Sequence, residues 1–531
     1  MLQDQLLVVI CLLFGIAMLT MLSEKLKVSY PILLVISGLL ISLIPGMPGI
    51  SLNPDLVFLI FLPPLLYAAA WNTSWKDFWK LKRPISLLAF GLVIFTSAAV
   101  AFVSNAIIPD FSLALGFLLG GIISPPDAIA ATSVLQGLKV PKRAVIILEG
   151  ESLVNDASSL IVFRFALAAI ITGQFNLGDA ARNFAVVAFM GIIVGVSVAF
   201  VIYFIHRFFP TTPSIDAAIT LISPYIMYIC AEHFHFSGVL SVVSGGLFLT
   251  FRSSTLFSYE SRININGFWE TLIFLLNGFV FILIGLQLPV IVKSLGNYSI
   301  GEAILYGVAI SLLIIIIRII WVFPSAYIPR WLFKSIRTTE PNPGWKNVFL
   351  IGWSGMRGVV SLASALAVPL TLAGNAFPHR NLILFITFVV ILVTLVLQGL
   401  SLKPIIRKLK IEVNDKEKEQ LQALALRIRL AESVLSYLDN NYPQETQNHE
   451  AYKRVRDRYE RMADISKRKL ETGVVADEES SFRLQYRQML IELVHIRRRE
   501  LNYVLHTGEF PEDLIRDREW ELDLEEARLN N

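Results

Sequence analysis

The stretch from Ala144 to Ile171 reads AVIILEGESLVNDASSLIVFRFALAAII, which is long enough to cross a bilayer as one helix. Its first half nevertheless carries Glu149, Glu151, Ser152, Asn155 and Asp156. At helical spacing Ser152 and Asp156 fall one turn apart, as do Glu151 and Asn155, so two adjacent ridges of this helix are polar. Such ridges cannot face lipid. A charge at bilayer depth costs roughly 2.5 to 3.5 kcal/mol on insertion scales, and it persists where it is paired, hydrated or functional. The stretch therefore requires neighbours that bury it, and it marks a functional site inside a larger helical membrane protein.

The rest of the chain supplies those neighbours. With 55% hydrophobic residues over 531 positions, it reads as an all-α polytopic membrane protein and not as a string of soluble domains. About thirteen apolar runs reach spanning length, from Leu6–Leu22, Tyr30–Ile44 and Pro54–Trp71 to Leu305–Tyr327, Val348–Leu370 and Leu382–Leu400. The first run follows a start without a basic region, so it is expected to be a retained helix and not a cleaved signal. One alternate set of loops holds most of the lysines and arginines, among them Lys80, Lys82, Arg83, Lys142 and Arg143, while the other holds only Arg182, Lys293 and Arg380. This bias predicts a multi-pass protein of the plasma (inner) membrane with its N-terminus outside and its C-terminus in the cytoplasm. Cys11 and Cys230 sit singly in apolar runs, which supports neither a disulfide framework nor a zinc site. No cofactor and no nucleic-acid partner are expected; the net charge of +4 makes no case for either.

Composition changes abruptly after Leu400, dividing the chain into a transmembrane region, 1–401, and a helical tail, 402–531. Lys403, Arg407, Lys408 and Lys410 open the tail and suit anionic lipid headgroups. Leu421, Leu424, Ile428, Ala431, Leu435 and Leu438 recur at helical spacing, as do Phe482, Tyr486, Met489, Leu493 and Ile496, which predicts two amphipathic helices. Pro511 predicts a further helix start. The tail is thus expected to be a cytosolic helical domain, regulatory or dimerising in one reading and an inert solvated tail in the other.

Two spans look broken. The fifth, Phe111–Leu135, contains Gly120-Gly121 and then Ser124-Pro125-Pro126-Asp127, where two prolines remove backbone donors and stop regular helix. The twelfth, Val348–Leu370, contains Gly352-Trp353-Ser354-Gly355-Met356-Arg357-Gly358, whose glycines permit unwinding around a buried arginine. Unwound backbone at this depth survives only where protein or a hydrated cavity satisfies it. A pair of interrupted spans at matching places in two halves points to a transport site at a repeat interface. Other features are weaker. Gly116–Gly120 and Gly191–Gly195 are GxxxG patterns, Pro63-Pro64 suggests a kink, and Glu232, His233 and His235 form an interfacial cluster. Arg164, two turns beyond Asp156, is expected to snorkel to the interface.

Glu149 to Ala157 (EGESLVNDA) closely resembles the sodium/proton exchangers of the cation/proton antiporter-1 family. Further resemblances lie at Phe61 to Leu66 (FLPPLL), Glu232 to Leu240 (EHFHFSGVL), Phe268-Trp269-Glu270 with Leu276-Asn277-Gly278, and Gly352 to Ser361 (GWSGMRGVVS). Together they cover essentially Leu6 to Leu400. The resemblance implies thirteen helices, an inverted repeat with crossed, discontinuous fifth and twelfth helices, and a homodimer working by alternating access. It implies that Asp156 is the transport carboxylate, Asn155 its motif partner, Ser152 an ion ligand, and Asp127 a second carboxylate of the site. The family's threonine before that aspartate is replaced here by Pro126, which leaves the Pro126 carbonyl or water to contribute. The resemblance also implies a buried ion pair between Glu151 and an arginine, with Arg318 preferred and Arg357 the alternative. Otherwise Arg357 is an electrostatic cap between the crossed half-helices.

The chemistry is consistent with exchange of Na+, K+ or Li+ for H+. A hard monovalent cation takes oxygen ligands, which Asp156, Asp127, Ser152 and a freed carbonyl supply. Desolvation disfavours a carboxylate's charged form, so proton and cation compete for it near neutral pH. The neutral Asn155 beside Asp156 predicts electroneutral one-for-one exchange, serving pH and cation homeostasis. A channel is the first rival reading. An intramembrane aspartyl hydrolase is the second, disfavoured because neither aspartate follows Gly-x-Gly; the chain is therefore not expected to be an enzyme.

Overall fold

The computed structural model describes residues 2–26, 28–44, 59–135, 138, 140–173, 177–293, 295, 298–340, 342–372, 374–411, 415–472, 477–507 and 512–530. The start of the Pro54–Trp71 run and Pro511 lie outside these residues, as does the side chain of Phe482. The apolar runs fold as helices: α1 (Leu2–Leu26), α2 (Tyr30–Ser42), α3 (Leu62–Asn72), the short α4 (Trp75–Lys80), α5 (Lys82–Ile107), α6 (Leu113–Ile123) and α7 (Ala128–Leu135). Then come α8 (Lys142–Thr172), α9 (Leu177–Phe208), α10 (Pro213–His233), α11 (Gly238–Leu256), α12 (Tyr259–Leu286) and α13 (Leu288–Lys293). The unit closes with α14 (Ile300–Leu332), α15 (Lys334–Thr339), α16 (Trp345–Trp353), α17 (Val359–Leu366), a two-stranded hairpin of β1 (Thr371–Leu372) and β2 (Asn375–Ala376), and α18 (Arg380–Leu409). Among the described residues nine helical segments are long and apolar enough to cross a membrane, with α6–α7 and α12–α13 each counted as one. The shorter Tyr30–Ser42 and Gly238–Ser253 are also apolar.

Two hydrophobic clusters organise this unit. One gathers α5, α6, α14, α16 and α18 with parts of α2 and α12, and the other gathers α3, α9, α10 and α11 with the first half of α12. Helix α8 belongs to both: Ile147, Leu148, Phe163 and Ala166 pack into the first, Leu153 and Ala157 into the second. The polar ridges of α8 thus lie at the seam between two apolar bodies, where lipid does not reach. The GxxxG patterns serve packing inside the chain. A Cβ on Gly116 or Gly120 would overlap the α5 backbone at Ala101 or Ser97, and one on Gly191 or Gly195 would overlap α11 at Ser237 or Ser241. Pro63 and Pro64 occupy the first turn of α3, where a missing N–H costs nothing, so they start a helix instead of kinking one.

Two π-helical segments interrupt otherwise regular spans, Leu87–Leu92 in α5 and Thr394–Gln398 in α18. Such turns shift carbonyls and side chains off the regular ladder. In the first of them Leu87 O accepts from Trp321 Nε1 at 3.0 Å and Ala89 O accepts from Ser158 on α8 at 2.5 Å.

The chain divides at Val413 and not at 401, because α18 runs on beyond the apolar stretch and buries Leu402 and Ile406 in the first cluster. The second unit, Asn414–Asn531, is helical throughout its described length: α19 (Asp415–Asn441), α20 (Pro443–Asn448), α21 (Glu450–Thr472), α22 (Asp477–Thr507) and α23 (Glu512–Asn530). Ala431 and Leu438 are buried in α19, following the sequence pattern. In α22 the pattern misleads: Tyr486, Met489, Leu493 and Ile496 are exposed, whereas Val494 is fully buried. The reason is that α22 turns its Val494 side and its arginines toward α23, pairing Arg497 with Glu525 and Arg498 with Asp523 and Glu526.

Candidate functional site

Proline placement breaks the fifth span between Ile123 and Ala128, and glycine placement breaks the twelfth between Trp353 and Val359. Each break frees carbonyls at one helix end and N–H groups at the next, and in a low-dielectric interior each orphan must find a partner. The two breaks supply partners to each other. Asp127 N–H donates to Met356 O at 2.7 Å. Arg357, fully buried, donates from Nε to Ile123 O at 2.9 Å and from Nη2 to Ser124 O at 3.3 Å, and it also reaches Gly355 O. Thr394, in the π-helical segment of α18, accepts from Arg357 N–H at 3.1 Å. The guanidinium therefore caps the negative ends of α6 and α16, as the helix dipole favours.

Asp127 does the converse at the positive ends. Its Oδ1 accepts from Ile129 N–H at 2.8 Å and Ala130 N–H at 3.4 Å in the first turn of α7, and its carboxylate also accepts from Val359 N–H at the start of α17. Gly358 is required here by close approach, since a Cβ at that position would overlap the Asp127 carboxylate. Ser152 on α8 completes the cap of α7 by accepting from Ala128 N–H at 3.2 Å.

Asn155 is fully buried, and its Nδ2 donates to Pro126 O at 3.2 Å. The freed Pro126 carbonyl is thus already held by α8 with one of its lone pairs engaged. Asp156 lies one residue further round α8. It is only 7% exposed, and among the described residues its carboxylate accepts no hydrogen bond and has no basic partner. Asp156, Asp127, Ser152, Pro126 and Glu149 all line one cavity of about 200 Å³, bounded by α3, α7, α8 and α17.

Glu151 points away from that cavity. Arg318 Nη1 and Nη2 meet its Oε1 and Oε2 at 2.5 and 2.8 Å in a bidentate pair, with side chains 0% and 1% exposed. Arg318 Nε and Nη2 also donate to Ile351 O near the end of α16, at 3.3 and 3.2 Å. The arginine facing Glu151 is therefore Arg318, while Arg357 spends its donors on backbone carbonyls. Two expectations change. Arg164 does not merely snorkel: its Nη2 binds both oxygens of Glu232, at 2.9 and 2.7 Å, tying α8 to the end of α10. Glu232 also accepts from Gly238 N–H at 3.2 Å, so it serves this junction more than any histidine cluster.

Sequence reasoning missed a third ionic cluster at one end of the unit, where Glu340 accepts from Arg83 at 3.0 and 2.7 Å and from Arg143 at 3.3 Å. The Arg83 hydrogen bonds hold the Glu340 carboxyl below its ordinary value, with smaller contributions from the nearby charges of Arg83, Arg143 and Arg330. A lone acid among many loop arginines was the available signal.

Residues 8–408 match the family described as "Sodium/hydrogen exchanger, transmembrane". The chain is 34% identical over 388 residues to a sodium, potassium, lithium and rubidium/H(+) antiporter of Bacillus pumilus, covering 70% of this chain and 57% of the relative. It is 31% identical over 439 residues to the Na(+)/H(+) antiporter ApNhaP of Aphanothece halophytica, covering 82% of this chain and 80% of the relative. The fold is similar to that of the sodium proton antiporter MjNhaP1 from Methanocaldococcus jannaschii, with a TM-score of 0.60 at 19% identity over 77% of this chain and 100% of that one. By the match over most of its length and by its relatives, the chain belongs to the sodium/hydrogen exchanger family, whose members are membrane transporters and not enzymes.

Proposed function

We propose that this protein exchanges Na+ for H+ by alternating access, with Asp156 as the group that binds each in turn. The observation that carries the reading is the state of Asp156, a carboxylate buried in a cavity at the junction of two broken spans and left without a protein partner among the described residues. A buried acid with no counter-charge is costly unless a proton or a cation occupies it, so the two compete for one place. Asp127, Ser152 and the Pro126 carbonyl are the further oxygen ligands, and Asn155 positions Pro126. Glu151–Arg318 and Arg357 hold the scaffold. With three backbone donors engaged, Asp127 keeps one protonation state, so exchange is electroneutral and one-for-one.

The same reading places the protein in the plasma membrane as a homodimer of thirteen-span units built on an inverted repeat with crossed broken helices. The N-terminus is outside, and the second unit, Asn414–Asn531, is cytoplasmic and regulatory. The physiological role is pH and cation homeostasis. K+ and Li+ are further candidate substrates, since the Bacillus pumilus relative is named for them. The test is dequenching of a pH dye in inverted vesicles on addition of each chloride salt. Saturable dequenching with Na+ supports exchange, and none with any of the three salts refutes it.

A further inference from the structure

Helix α8 lines the cavity with Glu149 and Ser152 as well as Asp156. Spacings of three and four residues put them on one face, and seven residues of helix set Glu149 about 10 Å from Asp156 along the axis. Glu149 is half-buried, and among the described residues no hydrogen bond or ion pair reaches it. Other acids of this unit are engaged by protein: Glu151 by Arg318, Glu232 by Arg164, Glu340 by Arg83 and Asp127 by backbone N–H groups. Thr132 on α7 lines the same cavity. Its hydroxyl hydrogen is committed to the Ala128 carbonyl at 2.9 Å, so its oxygen presents lone pairs. The cavity thus runs from one unpartnered carboxylate to another, the deeper of them nine-tenths buried.

Building on the exchange reading, we propose that Glu149 and Thr132 form an outer cation site. A partly hydrated monovalent cation pauses there before passing to Asp156, and Glu149 thereby sets the apparent affinity. Hydroxyl and carboxylate oxygens suit a hard cation that still keeps part of its water. A fixed negative charge in a cleft with low-dielectric walls raises the local cation concentration, and salt screens that effect.

The test uses the full chain in proteoliposomes. Glu149→Gln removes the charge at nearly constant volume. A unit charge about 10 Å away, screened between protein and water, corresponds to a change in apparent KM for Na+ of roughly two- to tenfold. That rise is the expected result, together with near wild-type KM for Glu149→Asp. Added choline chloride should raise the wild-type KM and leave that of Glu149→Gln flat. An unchanged KM in Glu149→Gln, or a fall in maximal rate at constant KM, overturns the outer site and leaves Glu149 a structural residue. If Glu149→Gln does not elute as a folded protein, a wild-type KM indifferent to choline chloride overturns the site by itself. Asp156→Asn, measured alongside, separates this inference from the reading beneath it. Retained exchange there removes the antiport assignment, whereas lost exchange with an unshifted Glu149→Gln removes only the outer site.

Discussion

Replacing Glu151 with Ala leaves the Arg318 guanidinium fully buried with no carboxylate, because its remaining acceptor is the Ile351 carbonyl. Breaking a buried pair from one side costs about 3 to 5 kcal/mol, since the surviving charge is neither solvated nor paired. The bidentate geometry at 2.5 and 2.8 Å places this pair at the upper part of that range. At roughly 2 °C per kcal/mol, the slope for domains of a few hundred residues, the melting midpoint should fall by about 8 to 10 °C. Arg318→Ala should cost as much, because it strands Glu151 and also frees the Ile351 carbonyl. The double variant removes both charges and should be no worse than either single one, so its loss falls short of the sum of the two by at least one single cost, about 4 to 5 kcal/mol. Thermal stability in detergent, read as the monodisperse fraction after a temperature series, measures all three. Additive losses would refute the pairing argument and indicate that each side chain acts through separate contacts.

Four further outcomes follow from the site. Asp156→Asn should abolish exchange in the vesicle assay while leaving the elution profile unchanged, and substantial residual exchange contradicts its assignment. Gly358→Ala should lose both exchange and stability, because the added methyl meets the Asp127 carboxylate that caps two helices; a wild-type melting curve would show that the approach is looser than described. Glu340 has a carboxyl held below its ordinary value, so its stabilising contribution is present above about pH 4.5 and is lost as pH falls through its folded-state value. Glu340→Gln should therefore melt below wild type at pH 7, with the gap closing as the pH falls below about 4.5, and a gap independent of pH excludes this linkage. Imposing a membrane potential with potassium and valinomycin at fixed Na+ and H+ gradients should drive no net Na+ uptake, whereas uptake driven by potential alone means net charge moves and Asp127 titrates as well.

The apolar runs, the two breaks and the acids of α8 were legible in the sequence because each depends on local chemistry: run length, missing donors at Pro125 and Pro126, and the price of charge in lipid. The motif resemblance named Asp156, Asp127 and Ser152, and periodicity placed Ser152 and Asp156 one turn apart on one helix. What stayed hidden depends on pairing between distant segments. No spacing rule relates Arg164 to Glu232 or Arg83 to Glu340, and an arginine near a helix end looks the same whether it snorkels or binds. The choice between Arg318 and Arg357 for Glu151 likewise rested on which helix packs beside α8. The apolar stripe of α22 shows a further limit, for Tyr486 to Ile496 satisfy helical periodicity yet remain exposed while charge pairs decide which side meets α23.

The interlocked breaks explain why the Asp156 carboxylate is left open beside them. Arg357 neutralises the freed carbonyl ends of α6 and α16, and Asp127 neutralises the freed N–H ends of α7 and α17, so each ion belongs to one break and satisfies the other. Neither break is stable without its partner, since removing either ion strands buried polar groups from both spans at roughly 1 to 3 kcal/mol each. Glu151 and Arg318 fix the end of α16 against α8, and Asn155 fixes Pro126 against the same helix. These constraints consume the fixed charges at the two breaks and, among the described residues, leave the Asp156 carboxylate facing the cavity without a donor. A structural network would have closed on that acid too. An acid left open beside two breaks that satisfy each other is suited to reversible occupation by a proton or a cation.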